Sequence, residues 1–106
     1  MRIEIVIGLS DRNGVPFEAE DRRVEELYED ITEIAGGLTE MPVKGWYKNR
    51  AGITIREDSR MIIVILNEPI EPKIDELKHA LTNFLRKTNQ ESAMIMIGSS
   101  AEFVTT

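Results

Sequence analysis

The sequence predicts an α+β sandwich in the order βαββαβ, an antiparallel sheet with two helices on one face. Three observations carry this. An alternating apolar pattern opens the chain at Ile3, Ile5, Ile7 and Leu9. Two segments place apolar residues three and four apart, the spacing of a helix stripe. Two apolar runs, Met61–Leu66 and Ala93–Ile97, stand on either side of the second such segment.

In the first strand, over about 2–9, the apolar residues alternate with Glu4, Val6 and Gly8, as in a half-buried strand. Asp11-Arg12-Asn13-Gly14 turns the chain, because Asn and Gly tolerate positive φ, and Pro16 closes the loop. The first helix is expected over about 18–35. Val24, Leu27, Ile31 and Ile34 form its stripe, Phe17 is placed to pack back on it, and acids crowd its first turn. Gly36-Gly37 ends it.

Leu38–Tyr47 reads as a second strand. Pro42 cannot donate to a ladder, so this strand is confined to an edge or a bulge. Ile53–Ile55 resumes a strand after a polar loop, and Arg56–Arg60 is either a bulge or the exposed end of a long hairpin. Met61–Leu66 does not alternate, which predicts a central strand covered on both faces. Pro72 fits the first turn of a second helix striped by Ile74, Leu77, Leu81, Phe84 and Leu85, with Arg86 and Lys87 in its last turn. Ala93–Ile97 forms the next strand, and Phe103 and Val104 suggest a short terminal one. With the first and third strands central, this is the ferredoxin-like plan, a split βαβ.

The 106 residues form a single domain, 1–106, large enough for a core of its own. Cysteine is absent, which excludes disulfides and thiolate metal sites. The start lacks the pattern of a signal peptide, and no stretch approaches the ~18 apolar residues of a membrane span. The expected location is the cytoplasm. A net charge of -6 argues against nucleic acid and anionic membrane as partners. The central strands also lack the aromatic residues on which RNA bases stack.

No motif specifies a reaction, and no catalytic residue, metal ligand or cofactor is assigned. The single histidine, His79, has Asp75 one turn earlier and reads as a solvated pair. Asp11-x-Asn13-Gly14 lacks the later ligands of a calcium loop. Two features remain. The uncovered sheet face would carry Val6, Gly8, Met94 and Met96 beside an all-apolar third strand, more than monomers usually expose. It predicts a homo-oligomer through that face, unless residues 103–106 or a bent hairpin fold across it. The hairpin from Lys44 to Arg60 concentrates five basic residues against two acids and holds the only tryptophan. Thr39, Trp46, Tyr47, Arg50, Arg56 and Glu57 are its candidate ligand contacts, suited to a small anion or a protein partner.

The same residues carry a resemblance. Asp11-x-x-Gly14-x-Pro16, then Gly36-Gly37-Leu38-Thr39, then Gly45-Trp46, then Gly52 and Glu57, resemble a family of short bacterial, archaeal and phage proteins without known function. Its pattern is Gly-Gly-x-Thr, Gly-x-Trp and a downstream Gly and Glu. The resemblance spans about 3–66 and implies a ferredoxin-like domain but no activity. The plan is also similar in outline to trimeric nitrogen-regulatory signalling proteins, without their nucleotide motif.

The first reading is therefore an oligomeric binding or regulatory module. One alternative is a small enzyme of the dimeric α+β-barrel type, with Glu57 or Asp58 as acid/base, Arg50 or Arg56 as anion clamp and Tyr47 as proton donor. Another is a structural subunit of a phage or plasmid assembly.

Overall fold

A computed structural model describes all 106 residues. The elements run β1 (Arg2–Gly8), α1 (Arg22–Ala35), β2 (Thr39–Lys48), β3 (Thr54–Ile65), α2 (Ile70–Lys87), β4 (Ser92–Ile97) and β5 (Ser100–Thr105). Every strand pair is antiparallel, and the sheet order is β2-β3-β1-β4-β5. The α+β expectation holds at the level of two helices and one antiparallel sheet. The order departs from the four-stranded plan by β5, which pairs with β4 from Ser92↔Thr105 to Ile97↔Ser100. β5 thus widens the sheet and does not fold across it.

Alternation decides what each face meets. Ile3, Ile5 and Ile7 of β1, Ile62 and Val64 of β3, and Ala93 and Ile95 of β4 are buried with Val24, Leu27 and Ile31 of α1 and Leu77, Leu81, Phe84 and Leu85 of α2. Each such side chain contributes about 1.5–3 kcal/mol when fully buried. The opposite face has no cover within the chain. Val6, Met61, Ile63, Met94 and Met96 are half-buried there, while Ile65 is 58% and Phe103 71% exposed. Met61–Leu66 is therefore covered on its helix side only. Its lack of alternation marks an apolar second face, not a second layer.

Two local devices set the helix ends. α1 starts at Arg22 and not near 18, because the Asp21 carboxylate accepts from the Arg23 N–H at 2.9 Å and caps it. It ends where Gly36, at φ 86°, donates to the Thr32 carbonyl at 2.8 Å. α2 ends on Thr88, whose buried hydroxyl donates to the Phe84 carbonyl at 2.8 Å. Lys87 then reaches Glu26 at 3.0 Å and joins the end of α2 to α1. No helix is long and apolar enough to cross a membrane.

β2 and β3 form one long hairpin, paired from Thr39↔Ile63 to Lys48↔Thr54, and Arg56–Arg60 lies in the ladder without a bulge. β2 is an edge strand, as Pro42 requires. β1 pairs with β3 only as far as Gly8↔Ser59, and the Leu9 N–H adds a bond to the Asp58 carbonyl at 2.9 Å. Before Asp58, β3 has β2 on one side and no strand on the other.

Asp21 gives the fold a pH dependence. Hydrogen bonds from the Arg23 side chain and backbone hold its carboxyl down at about 2, against an ordinary 3.8. A depressed carboxyl stabilises the fold above its unfolded value and loses that effect as pH falls through the folded one. Urea titrations should show Asp21→Ala less stable by about 1 kcal/mol at pH 7. The difference should shrink between pH 4 and 2, and Asp21→Asn should keep most of the cap without the acid-limb loss.

Candidate functional site

The unpaired stretch of β3 opens onto a groove of about 680 Å3, walled on its far side by the loop after β1. The loop is built to be stiff. The Asp11 carboxylate accepts from the Asn13 and Val15 N–H groups at 2.8 and 2.9 Å, Ser10 bridges to Pro16, and the Phe17 N–H returns to the Leu9 carbonyl at 2.9 Å. Arg23 lies over the Phe17 ring, 5.1 Å from its centroid. Rigid aromatic and proline side chains thus face a charged strand edge across open space.

Glu57 is the best-held polar group on that edge. It shares the uncovered face with Gly8, Gly45 and Ser59. The Ser10 hydroxyl donates to its Oε2 at 2.5 Å. A Cβ on Gly8 would stand 2.5 Å from Glu57 Oε1, so only glycine leaves the carboxylate its place. Gly45 is less constrained: a Cβ there would lie in ordinary contact with Glu57 Cγ at 3.8 Å and press only on Ser59 Oγ at 3.3 Å. Tyr47 stands on the same face, and burial together with the Glu57 and Glu91 carboxylates pushes its hydroxyl pKa up. It remains a neutral hydrogen-bond donor beside an anion.

Asp58, one residue on, points the other way. Lys44 meets it across the hairpin at 2.6 Å and lowers its pKa, and both side chains are largely exposed. A carboxyl held ionised in solvent makes a poor general acid. Trp46 and Arg56 are also on this helix-side face, paired across the strands, with the Arg56 guanidinium 5.2 Å from the Trp46 ring centroid. Arg56 and Arg60 both line the groove. Beyond Arg60, the Tyr28 hydroxyl donates to Glu40, and burial with that hydrogen bond raises the tyrosine pKa.

Alternation therefore divides the six hairpin candidates. Tyr47 and Glu57 come together on the uncovered face, Trp46 and Arg56 on the other. Arg50 is in the exposed loop at the tip, shaped by Asn49, whose side-chain oxygen accepts from the Ala51 and Ile53 N–H groups. Thr39 shares the face of Tyr47 but lies eight residues away, about 26 Å along the strand. Sequence reasoning missed Ser10, Gly8 and Arg60. For Arg60 a signal existed: it stands two residues before Ile62, in phase with the buried side of its strand. His79 and Asp75 line a separate, shallow hollow of about 490 Å3 between the helices, with Asp30, Glu33 and Glu76. No three acids or histidines gather anywhere to hold a metal ion.

The fold has relatives of known structure. A phage SAM lyase in complex with S-methyl-5'-thioadenosine, and a phage SAM lyase in its apo state, each superpose with a TM-score of 0.74 at 19% identity, covering 99% of this chain and 88% of the lyase chain. At that identity the likeness is one of fold. No curated relative matches the sequence. The profile of a protein family of unknown function, DUF3574, matches residues 2–103. This agrees with the resemblance to a family without known activity, and with nearly its whole length matched, the chain belongs to the DUF3574 family.

Proposed function

We propose that this chain binds S-adenosylmethionine in the groove beside β3 and splits it, releasing S-methyl-5'-thioadenosine. The observation that carries the proposal is Glu57, held by Ser10 and cleared by Gly8 at the groove's edge, in a fold shared with a lyase of that substrate. Charge supports it. Glu18, Glu20, Glu57 and Asp58 line the groove against Arg56 and Arg60. Four carboxylates and two guanidiniums suit a ligand with more positive than negative groups. S-adenosylmethionine has a sulfonium, an ammonium and one carboxylate. We read the architecture as the ferredoxin-like plan extended by one strand.

The chemistry constrains where Glu57 can act. When the carbon–sulfur bond breaks, its electron pair stays on sulfur and the thioether leaves neutral. The sulfonium charge fades toward the transition state. A carboxylate pressed against sulfur would favour the substrate over the transition state and slow the reaction. Glu57 serves better beside the four-carbon fragment, as the base that takes a proton from the carbon next to the breaking bond while that C–H pair becomes a double bond. If the fragment instead closes on its own carboxylate, no base is needed, so the product, unsaturated amino acid or lactone, assigns the role.

The second reading, a binding or regulatory module without chemistry, is favoured by the exposed Trp46 ring, which stacks on Arg56 at the rim of the groove. It expects tight binding of S-adenosylmethionine with no turnover. In either reading the uncovered face takes a second copy of the chain. Val6, Met94 and Met96 lie at its middle, and Phe103 at its edge is too exposed for a protein surface left bare.

Chromatography of S-adenosylmethionine incubated with the protein should show S-methyl-5'-thioadenosine. Glu57→Gln should slow its release about 100-fold or more if Glu57 is the base, and Asp58→Asn should change it little. A wild-type protein that binds the substrate and leaves it intact selects the second reading. Gly8→Ala should keep the fold, since only the end of a flexible side chain must move, yet cut activity about tenfold, or ~1.4 kcal/mol of barrier, by displacing Glu57 from Ser10. Light scattering should find a dimer or larger assembly that Met96→Glu reduces to a monomer. A wild-type monomer at tens of micromolar would overturn assembly through this face.

A further inference from the structure

Arg60 is a cation on the side of the sheet where a core residue belongs. It pairs across the ladder with Ile7, which is fully buried, and precedes Ile62 and Val64 on the same side. Its own side chain is half-buried, and its Nε is fully buried with no hydrogen-bond partner. It joins none of the chain's eight ion pairs. The acids near it are engaged elsewhere: Glu40 accepts from Tyr28, and Asp58 holds Lys44. The other cations around the groove are occupied too, Arg56 on Trp46 and Arg23 on Asp21. Arg56 and Arg60 both border the groove without a hydrogen bond, but Arg56 lies on the exposed Trp46 ring, and only Arg60 is half-buried with a shielded, unpartnered donor.

A planar guanidinium presents paired N–H donors that match a carboxylate two at a time. The terminal nitrogens, unlike Nε, are not shut off from the groove, so a carboxylate there meets a guanidinium already held in place, with no acceptor of the chain to displace. We propose that Arg60 is the carboxylate anchor of the groove, binding the amino-acid end of the ligand through its two terminal nitrogens, since Nε is shut off from the groove. Arg60 stands three positions after Glu57, about 10 Å along the strand. Both side chains line the groove from opposite faces of the unpaired edge, so the amino-acid end of the ligand lies between them, its carboxylate at Arg60 and the carbon next to the breaking bond at Glu57. The identity of the ligand rests on the S-adenosylmethionine reading, whereas the anchor itself does not.

Calorimetry on wild type and Arg60→Met with two probes tests it. S-adenosylmethionine carries the carboxylate, and S-methyl-5'-thioadenosine lacks it. Arg60→Met should weaken the first about 30-fold or more, and leave the second within about twofold. Arg60→Lys, which keeps the charge and loses the fork, should fall between. The melting midpoint of Arg60→Met should equal or exceed that of the wild type, because an aliphatic chain fills the same path without the orphaned donor. A lower midpoint, or equal losses for both probes, would make Arg60 structural and overturn the anchor. If wild type binds neither probe, the nucleoside reading fails, and the anchor is then decided by NMR. Titration with succinate should move the Arg60 Nε–H resonance saturably while that of Arg56 stays put. An unmoved Arg60 resonance overturns the anchor as well.

Discussion

The pairing of Ile5 with Ile62 fixes how β1 lies on β3, and with it every side chain that either strand presents. In this register Ile3, Ile5 and Ile7 fall on the same side as Ile62 and Val64, beneath the helices. A slip of one residue would send Glu4 and Val6 into the core and turn the isoleucines outward. The loss of several fully buried aliphatic side chains, at about 1.5–3 kcal/mol each, exceeds the whole net stability of a typical domain. The same register sets Gly8 opposite Ser59 and next to Glu57. The position of the candidate site is thus a by-product of the strongest packing in the molecule.

That coupling explains why the groove lies where it does. β1 gives out at Gly8 while β3 began five residues before their first shared rung. The chain must leave the sheet there, and it does so through a turn held by Asp11 that puts Phe17 and Pro16 across from the bare edge of β3. An unpaired strand edge is ordinarily a liability, since it offers free backbone groups to any other strand. Here β2 backs it and the loop stands over it, so the edge is open to a small molecule more than to another chain.

How much of this was legible follows from what alternation can and cannot encode. The helix stripes and the edge position of β2 were readable because apolar spacing and a proline without an N–H act locally. The uncovered face was readable at Val6, Met94 and Met96, because their alternation with buried neighbours needs no knowledge of the fold. The site was only half readable. A cluster of unusual residues in sequence, Trp46, Tyr47, Arg56 and Glu57, drew attention to the hairpin, but strand geometry sends successive residues to opposite faces and separates them. Ser10 was out of reach because its partner Glu57 lies 47 residues away. The start of α1 moved from 18 to 22 because Asp21, not the acids before it, makes the capping bond. The fifth strand was hinted at by Phe103 and Val104, yet its course beside β4 depended on pairing that no short pattern states.

Arg60 poses the remaining physical question: why a sequence that places Ile7 beside this inward position and Ile62 after it keeps a guanidinium here, at the border with Pro42 and Asp58. An unsatisfied buried donor costs about 1–3 kcal/mol, a sizeable share of the roughly 5–15 kcal/mol that holds a domain together. A methionine would fill the space without that cost. Arg60 is half-buried opposite Ile7, and a long aliphatic stem suits such a place, but this accounts for the carbons and not for the charge. The charge also burdens its surroundings little, since the Tyr28–Glu40 pair nearby is neutral on one side and anionic on the other. A guanidinium held at the groove with no acceptor in the chain is a group that a bound carboxylate can pair with, and ligand binding and folding then favour each other, because whatever binds the native state alone shifts the folding equilibrium toward it. On that ground the bare donor at Arg60 is more informative about what the chain does than any of the bonded residues around it.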